Sequence, residues 1–226
     1  KFKIIEDASH SFGGKYSSKR VGCSKLSDIT VFSFHPVKII TTGEGGAALT
    51  NNLEVAKKMQ LLRSHGITRD SQEMTNSIVS DWYYEQISLG FNYRMTDFQA
   101  ALGSAQMDRA AEIITKRQHL AKVYNEAFAS LNWLREPTYI DGFVHSYQSY
   151  SCLFQLEEVT SESIPRINRA RNKWMEHLYQ LGISTRPATH ALHMLSFYKE
   201  KYGLKLEDYP NAYAANECSI SLPLFN

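Results

Sequence analysis

Over its first hundred positions the chain alternates short apolar runs with glycine-rich loops. Phe2 to Ile5 reads as a buried strand, Gly13 to Gly22 as a turn-rich excursion, Ile29 to Phe34 as a second strand and Ala47 to Thr50 as a third. Leu53 to Ser64 reads as a helix, because Val55, Met59 and Leu62 fall at helical spacing. Strands interleaved with helices predict an α/β layer.

From Thr96 the period changes. Thr96-Asp97 offers an N-cap, and Leu120, Val123, Tyr124, Ala127, Phe128 and Leu131 recur at three and four residues. This predicts a long helix over 97–131, broken near Gly103. Pro137 and Asp141-Gly142 mark a boundary after it. A strand around Ser149 to Leu156, a helix from about Ser161 to Leu181 ending at Gly182, and short pieces to Leu222 then suit a small α+β domain. The expected division is residues 1–115 in a large α/β domain and 116–226 in the smaller one.

Composition narrows the partners. With 25 basic against 23 acidic residues among 226, the formal charge of +2 gives no electrostatic reason to expect nucleic acid or an anionic membrane. Any anion must be held by a local site. No apolar run approaches the roughly 20 residues that span a bilayer. The opening Lys1-Phe2-Lys3-Ile4-Ile5-Glu6-Asp7 has no initiator Met or signal peptide and reads as a strand already in progress, so a longer natural chain is expected. Cys23, Cys152 and Cys218 are odd in number, far apart and without zinc spacing, which predicts a reduced, cytoplasmic protein with no metal site.

Three segments carry candidate chemistry. Glu6-Asp7-Ala8-Ser9-His10 stands where the first strand gives out, and ligands of open α/β sheets gather outside the carboxyl ends of strands; an Asp there can equally make only a turn. Val31 to Lys38, followed by Ile39-Ile40-Thr41-Thr42-Gly43-Glu44-Gly45-Gly46, ends a second strand in a loop that holds a hydroxyl, an imidazole and a lysine, backed by glycines. Neither a Walker-type phosphate loop nor a Gly-x-Gly-x-x-Gly fingerprint is present. A lone loop lysine is usually only solvated, but Asp7 and Lys38 on successive strand ends form the pair that pyridoxal phosphate requires: an amine for the Schiff base and an acid for the pyridinium nitrogen. The third segment, Leu89 to Asp97, puts Asn92 and Arg94 just before the long helix, where exposed amides favour an anion. A capping loop with a solvated Arg94 is the alternative.

Together these segments resemble the DegT/StrS-type sugar aminotransferases, a family of fold-type I pyridoxal-phosphate enzymes. The resemblance is carried by Glu-Asp-Ala-Ser-His (6–10), Phe-Ser-Phe-His-Pro-Val-Lys (32–38), Thr-Thr-Gly-Glu-Gly-Gly (41–46), Leu-Arg-Ser-His-Gly (62–66), Gly-Phe-Asn-Tyr-Arg-Met-Thr-Asp-Phe-Gln-Ala-Ala-Leu-Gly (90–103) and Ser-Ile-Ser-Leu-Pro-Leu-Phe (219–225). It implies a three-layer α/β/α large domain, here partial, that binds pyridoxal 5′-phosphate, and a smaller α+β C-terminal domain. It implies Lys38 as Schiff-base lysine, Asp7 as partner of the ring nitrogen, His10 beside the ring's phenolic oxygen and Ser33 as a phosphate-binding hydroxyl. Asn92 matches an asparagine that reaches the phosphate of the neighbouring subunit's cofactor, which implies a homodimer with shared active sites; Arg94 is a candidate for substrate contact.

The activity implied is transfer of an amino group, with glutamate as donor, to a nucleotide-linked 4-keto-6-deoxy sugar in surface polysaccharide or glycan biosynthesis. His35 to Lys38 and Asp81-Trp82-Tyr83-Tyr84-Glu85 are most similar to the subgroup that acts on UDP-linked 4-keto-6-deoxy hexosamines in the pseudaminic acid pathway, whereas Ser184 to His190 departs from it. A sugar dehydratase of the same family carries histidine in place of the lysine, so Lys38 argues against it. A non-catalytic relative that binds the cofactor or a sugar nucleotide as a regulator is the other alternative. His65 reads as the end of a helix at Gly66; His190, His193, Tyr83, Tyr84, Tyr147 and Tyr150 are given no role.

Overall fold

A computed structural model describes residues 2–23, 25–76, 80–138 and 140–224. The chain divides into two compact units, Lys1–Ala111 and Glu112–Asn226.

The first unit is built on a three-stranded sheet in the order β1 (Ile5–Asp7), β4 (Ile29–Ser33), β5 (Gly46–Leu49). Between β1 and β4 lies a hairpin, β2 (Lys15–Tyr16) and β3 (Lys19–Arg20). Its two-residue loop, Ser17-Ser18, has positive φ at both positions, the backbone that matches the twist of the flanking strands. β1 runs parallel to β4 with Asp7 opposite Val31, and β5 runs antiparallel with Gly46 opposite Ser33. Side chains alternate along a strand, so Ile5, Asp7, Val31 and Ser33 share one face, and Glu6, Thr30 and Phe32 the other. On that second face the buried Thr30 hydroxyl donates to Glu6 Oε2 at 2.8 Å.

The expected strand Phe2 to Ile5 is corrected here: β1 starts at Ile5, and Phe2 and Ile5 are 95% and 69% exposed. An apolar run implies burial only where another layer covers it, and among the described residues β4 is the neighbour β1 pairs with. Helix α1 (Leu53–Arg63) starts where Asn52 Oδ1 accepts from Val55 N–H at 3.1 Å. It is followed by the short pair β6 (Ile67–Thr68) and β7 (Glu85–Gln86).

Helix α2 (Asp97–Asp108) opens on Thr96 with a full capping box, the Gln99 side chain reaching back to the Thr96 backbone. The predicted break near Gly103 lies instead at Arg109, after which α3 (Ala110–Phe128) begins. Gly103 has a packing reason: a Cβ there would sit 2.9 Å from Thr42 Cγ2, so the glycine lets the loop after β4 lie against α2.

The second unit holds β8 (Leu134–Arg135), β9 (Phe143–Val144), β10 (Tyr150–Phe154), α4 (Ile164–Gln180), α5 (Ser196–Tyr202), α6 (Pro210–Cys218) and β11 (Ser219–Leu222). β10 is the centre of an antiparallel sheet in the order β11-β10-β8. Tyr150, Cys152 and Phe154 alternate onto its buried face and pack with Ile164 and Ile167 of α4, Cys218 and Ile220. Each fully buried side chain of this size contributes about 1.5–3 kcal/mol. The Tyr150 hydroxyl, deep in that core, donates to Asn125 Oδ1 at 2.6 Å. α4 ends as its sequence predicts: Gly182 at φ +79 lets Ile183 N–H reach Leu178 C=O at 2.8 Å. Among the described residues no helix is long and apolar enough to cross a membrane. Phe225 of the C-terminal motif lies outside the described residues.

Candidate active site

Asp7 is the last residue of β1, and its carboxylate is fixed by the turn that leaves the strand. Ser9 N–H donates to Asp7 Oδ1 at 3.0 Å, and the Ser9 hydroxyl adds a second hydrogen bond. These two bonds hold the Asp7 carboxyl below the usual carboxylate range, and Lys38, together with His10 when it is protonated, acts in the same direction. Desolvation pushes the His10 imidazole below its ordinary value; Lys38 lowers it further and Asp7 opposes both. Asp7, His10 and Lys38 are therefore close enough to act on one another's charge, yet Lys38 Nζ forms no ion pair with Asp7 among the described residues.

The loop that presents Lys38 is pinned at its base. Phe34 N–H donates to Gly45 C=O at 2.8 Å, and Thr42 N–H and the Thr41 hydroxyl both donate to Phe34 C=O at 3.0 Å. Lys38 N–H closes a turn on His35 C=O at 2.9 Å, with Pro36 inside it. Ile39 and Ile40, both buried, anchor the next turn, so the half-buried Lys38 is the last residue before the loop re-enters the unit. Gly46 is needed for the return: a Cβ there would meet Phe32 C=O at 2.6 Å. Ser33, at the end of β4 on the face that carries Asp7, accepts the His35 N–H at 3.4 Å, and among the described residues its hydroxyl proton is given to no acceptor.

Asn92 and Arg94 stand elsewhere in the same unit, at the C-terminal end of α1. Asn92 bridges to Ser64, and Tyr93 N–H donates to Arg63 C=O at 3.0 Å. Arg94 is not simply solvated. One of its terminal nitrogens lies 3.4 Å from His65 Nε2 and 3.5 Å from Asn92 Oδ1. The expectation that the exposed amides before α2 attract an anion is narrowed by the capping box, because Gln99 N–H is already bonded to the Thr96 hydroxyl. The structure thus brings Asp7, Ser33 and the loop of Lys38 to one end of the β1–β4 pair, with His10 three residues beyond Asp7, whereas among the described residues Asn92 and Arg94 hydrogen-bond to Ser64 and His65 and to each other.

Two contributors were missed in the sequence. Ser9 holds Asp7, and its place two residues after an Asp was the available signal. His65 touches Arg94, and no spacing announced that. Of the residues given no role, Tyr147 and Tyr150 are buried in the second unit, His193 is buried against the Tyr209 ring, and His190 is exposed. A cavity of about 890 Å³ lies against β5 and α1, lined by Val31, Phe32, Met59, Arg63 and Tyr93 among others, and none of the candidate residues lines it. Among the described residues no group of His, Cys, Asp and Glu is placed to hold a metal. Burial pushes the Cys152 thiol up to about 12 and the Cys218 thiol up to about 11, which leaves both inert at neutral pH.

The chain is 40% identical over 222 residues to the uncharacterized protein MJ1066 of Methanocaldococcus jannaschii, covering 98% of this chain and 55% of that one. It is 33% identical over 221 residues to a UDP-4-amino-4,6-dideoxy-N-acetyl-beta-L-altrosamine transaminase of Campylobacter jejuni, covering 97% and 53%. The fold superposes on the PMP-form of the putative sugar aminotransferase Spr1654 of Streptococcus pneumoniae with a TM-score of 0.81 and 30% identity, over 98% of this chain and 52% of that one. The chain thus spans about half the length of the relatives it matches. With residues 1–226 matching throughout, it belongs to the DegT/DnrJ/EryC1/StrS aminotransferase family, and its fold is that of the fold-type I sugar aminotransferases.

Proposed function

We propose that this protein, in its full natural chain, is a pyridoxal-phosphate-dependent aminotransferase that converts a nucleotide-linked 4-keto-6-deoxy sugar to its 4-amino derivative, with glutamate as amino donor, in the biosynthesis of a surface polysaccharide or glycan. The observation that carries the reading is geometric: Asp7, fixed by Ser9, ends β1, Ser33 ends the parallel neighbour β4 on the same face, and the loop that leaves Ser33 presents Lys38. The C. jejuni transaminase supports a UDP-linked substrate, and the pneumococcal PMP-form supports the cofactor.

The residues fit the cofactor's needs. When bound, pyridoxal phosphate supplies a carbonyl that joins amines and a ring that draws electrons from the carbon being deprotonated. Asp7, kept ionised by Ser9, would hold a proton on the ring nitrogen. His10 would face the phenolic oxygen, and Ser33 would donate to a phosphate oxygen. Lys38 would hold the cofactor between turnovers, and its amine, once freed, would take and return the substrate's proton as general base and acid. Asn92 reaches the phosphate in the neighbouring subunit of a homodimer, and Arg94 contacts substrate. Leu89 and Phe98, 88% and 90% exposed beside them, suit a surface that a second subunit covers. The working place is the cytoplasm.

The test uses the full-length protein, pyridoxal phosphate, ¹⁵N-glutamate and a UDP-linked 4-keto-6-deoxy hexosamine. We expect ¹⁵N at C4 of the sugar, 2-oxoglutarate in equal amount, and a rate that falls by about 10³-fold or more in Lys38→Ala. Loss of water from the sugar without ¹⁵N transfer, or binding of sugar nucleotide with no turnover, would replace this reading by the dehydratase or the regulator.

A further inference from the structure

The end of α1 departs from the usual helix stop at one peptide. Gly66 N–H reaches Leu61 C=O at 2.9 Å, the first of the two bonds that close such an end. The second, from His65 N–H to Leu62 C=O, is replaced by bonds to an inserted residue: His65 N–H donates to Phe91 C=O at 2.8 Å, and Phe91 N–H donates to Leu62 C=O at 2.7 Å. Gln86 Nε2 donates to His65 C=O at 2.8 Å. Both backbone groups of His65 are thus bonded to the segment that leads to Arg94.

His65 sits at φ +63, in the left-handed region where a helix usually stops on glycine. A side chain there is strained, and nothing in the backbone bonding demands one. What the side chain adds is its contact with Arg94: Nε2 lies 3.4 Å from a guanidinium nitrogen that is also 3.5 Å from Asn92 Oδ1. For Nε2 to accept, the imidazole must be neutral with its proton on Nδ1. Arg94 has no carboxylate partner among the described residues, so its other N–H groups are available to an anion. An arginine held by a ring nitrogen and an amide oxygen keeps its full charge for a ligand, whereas a carboxylate partner would compete with it.

We propose that His65 is a positioning residue: held in the left-handed conformation, it aims the Arg94 guanidinium at a phosphate oxygen of the nucleotide-linked substrate. This rests on the reading of Arg94 as a substrate contact. The test uses full-length protein loaded with pyridoxal phosphate and the variants His65→Gly, Arg94→Gln and the double. Binding is measured by calorimetry with whichever of UDP, dTDP or GDP the unaltered protein holds most tightly. Glycine relieves the backbone strain, so His65→Gly keeps or raises the melting temperature. Nucleotide affinity and KM for the sugar nucleotide worsen about tenfold, kcat changes less, and the double variant is no worse than Arg94→Gln alone.

The proposal is overturned if His65→Gly binds the nucleotide normally while Arg94→Gln does not, or if the two penalties add in full. A loss of pyridoxal-phosphate affinity in His65→Gly, with nucleotide affinity intact, assigns the phosphate to the cofactor and also overturns it. If Arg94→Gln itself binds the nucleotide normally, the reading of Arg94 fails, and that of His65 with it.

Discussion

At the scale of single residues, the candidate site is an arrangement of charges set by short-range contacts. Ser9 makes Asp7 a dependable carboxylate, and the opposed effects of Lys38 and Asp7 meet at His10. This coupling is measurable without cofactor. In the apo protein, NMR titration should place the His10 pKa below the ordinary imidazole value; Lys38→Ala should raise it and Asp7→Asn should lower it. If neither substitution moves His10, the three side chains do not form one group. Because the unfolded chain takes the proton first, acidification through the ordinary value of 6.5 removes stability. Asp7 and Lys38 stood out as candidates in the sequence because one follows the first apolar run and the other lies in the loop after the second. The charge state of His10 was not, since it depends on burial and on which side chains the fold brings near.

At the scale of elements, period and capping residues predicted the longer helices, but α5 and α6 were read only as short pieces, and burial was read less well. Thr96-Asp97 announced the start of α2, and Gly182 the end of α4. Gly103 was misread as a break because a glycine within a helical period looks the same whether it weakens the helix or admits a neighbour; Thr42, some sixty positions away in sequence, decides between them. Likewise the apolar run Phe2 to Ile5 could not say whether another layer covers it. Two glycines with nearly equal φ separate backbone strain from packing. Gly43 at φ +79 has open space around a Cβ, whereas Gly66 at φ +72 would put one 1.9 Å from Ser88 C=O. We expect Gly43→Ala to cost about 1–2 kcal/mol and Gly66→Ala about 3 kcal/mol or more, since overpacking against backbone is added to the strain. Denaturant midpoints of the two variants check this, and equal losses would mean that the end of α1 is looser than its hydrogen bonds indicate.

At the scale of the whole molecule, the chain divides into two compact units. In the second, the half-buried Arg117 donates to the carbonyls of Tyr147 and Gln148 at 2.8 Å and of Leu224 at 2.9 Å, and the buried Arg171 donates to Ser219 C=O at 2.7 Å. Neither arginine differs in sequence from a solvated one, so this part of the architecture was not legible. What the sequence did carry was the set of motifs that ties the chain to its family, because those motifs place chemistry at strand ends where the backbone fixes it. Whether Lys38 holds the cofactor is decided by borohydride reduction of the full-length protein loaded with pyridoxal phosphate, followed by peptide mass mapping. We expect a pyridoxyl group on the peptide that contains Lys38 and none in Lys38→Ala; a label on another lysine, or undiminished labelling of Lys38→Ala, would remove Lys38 from that role.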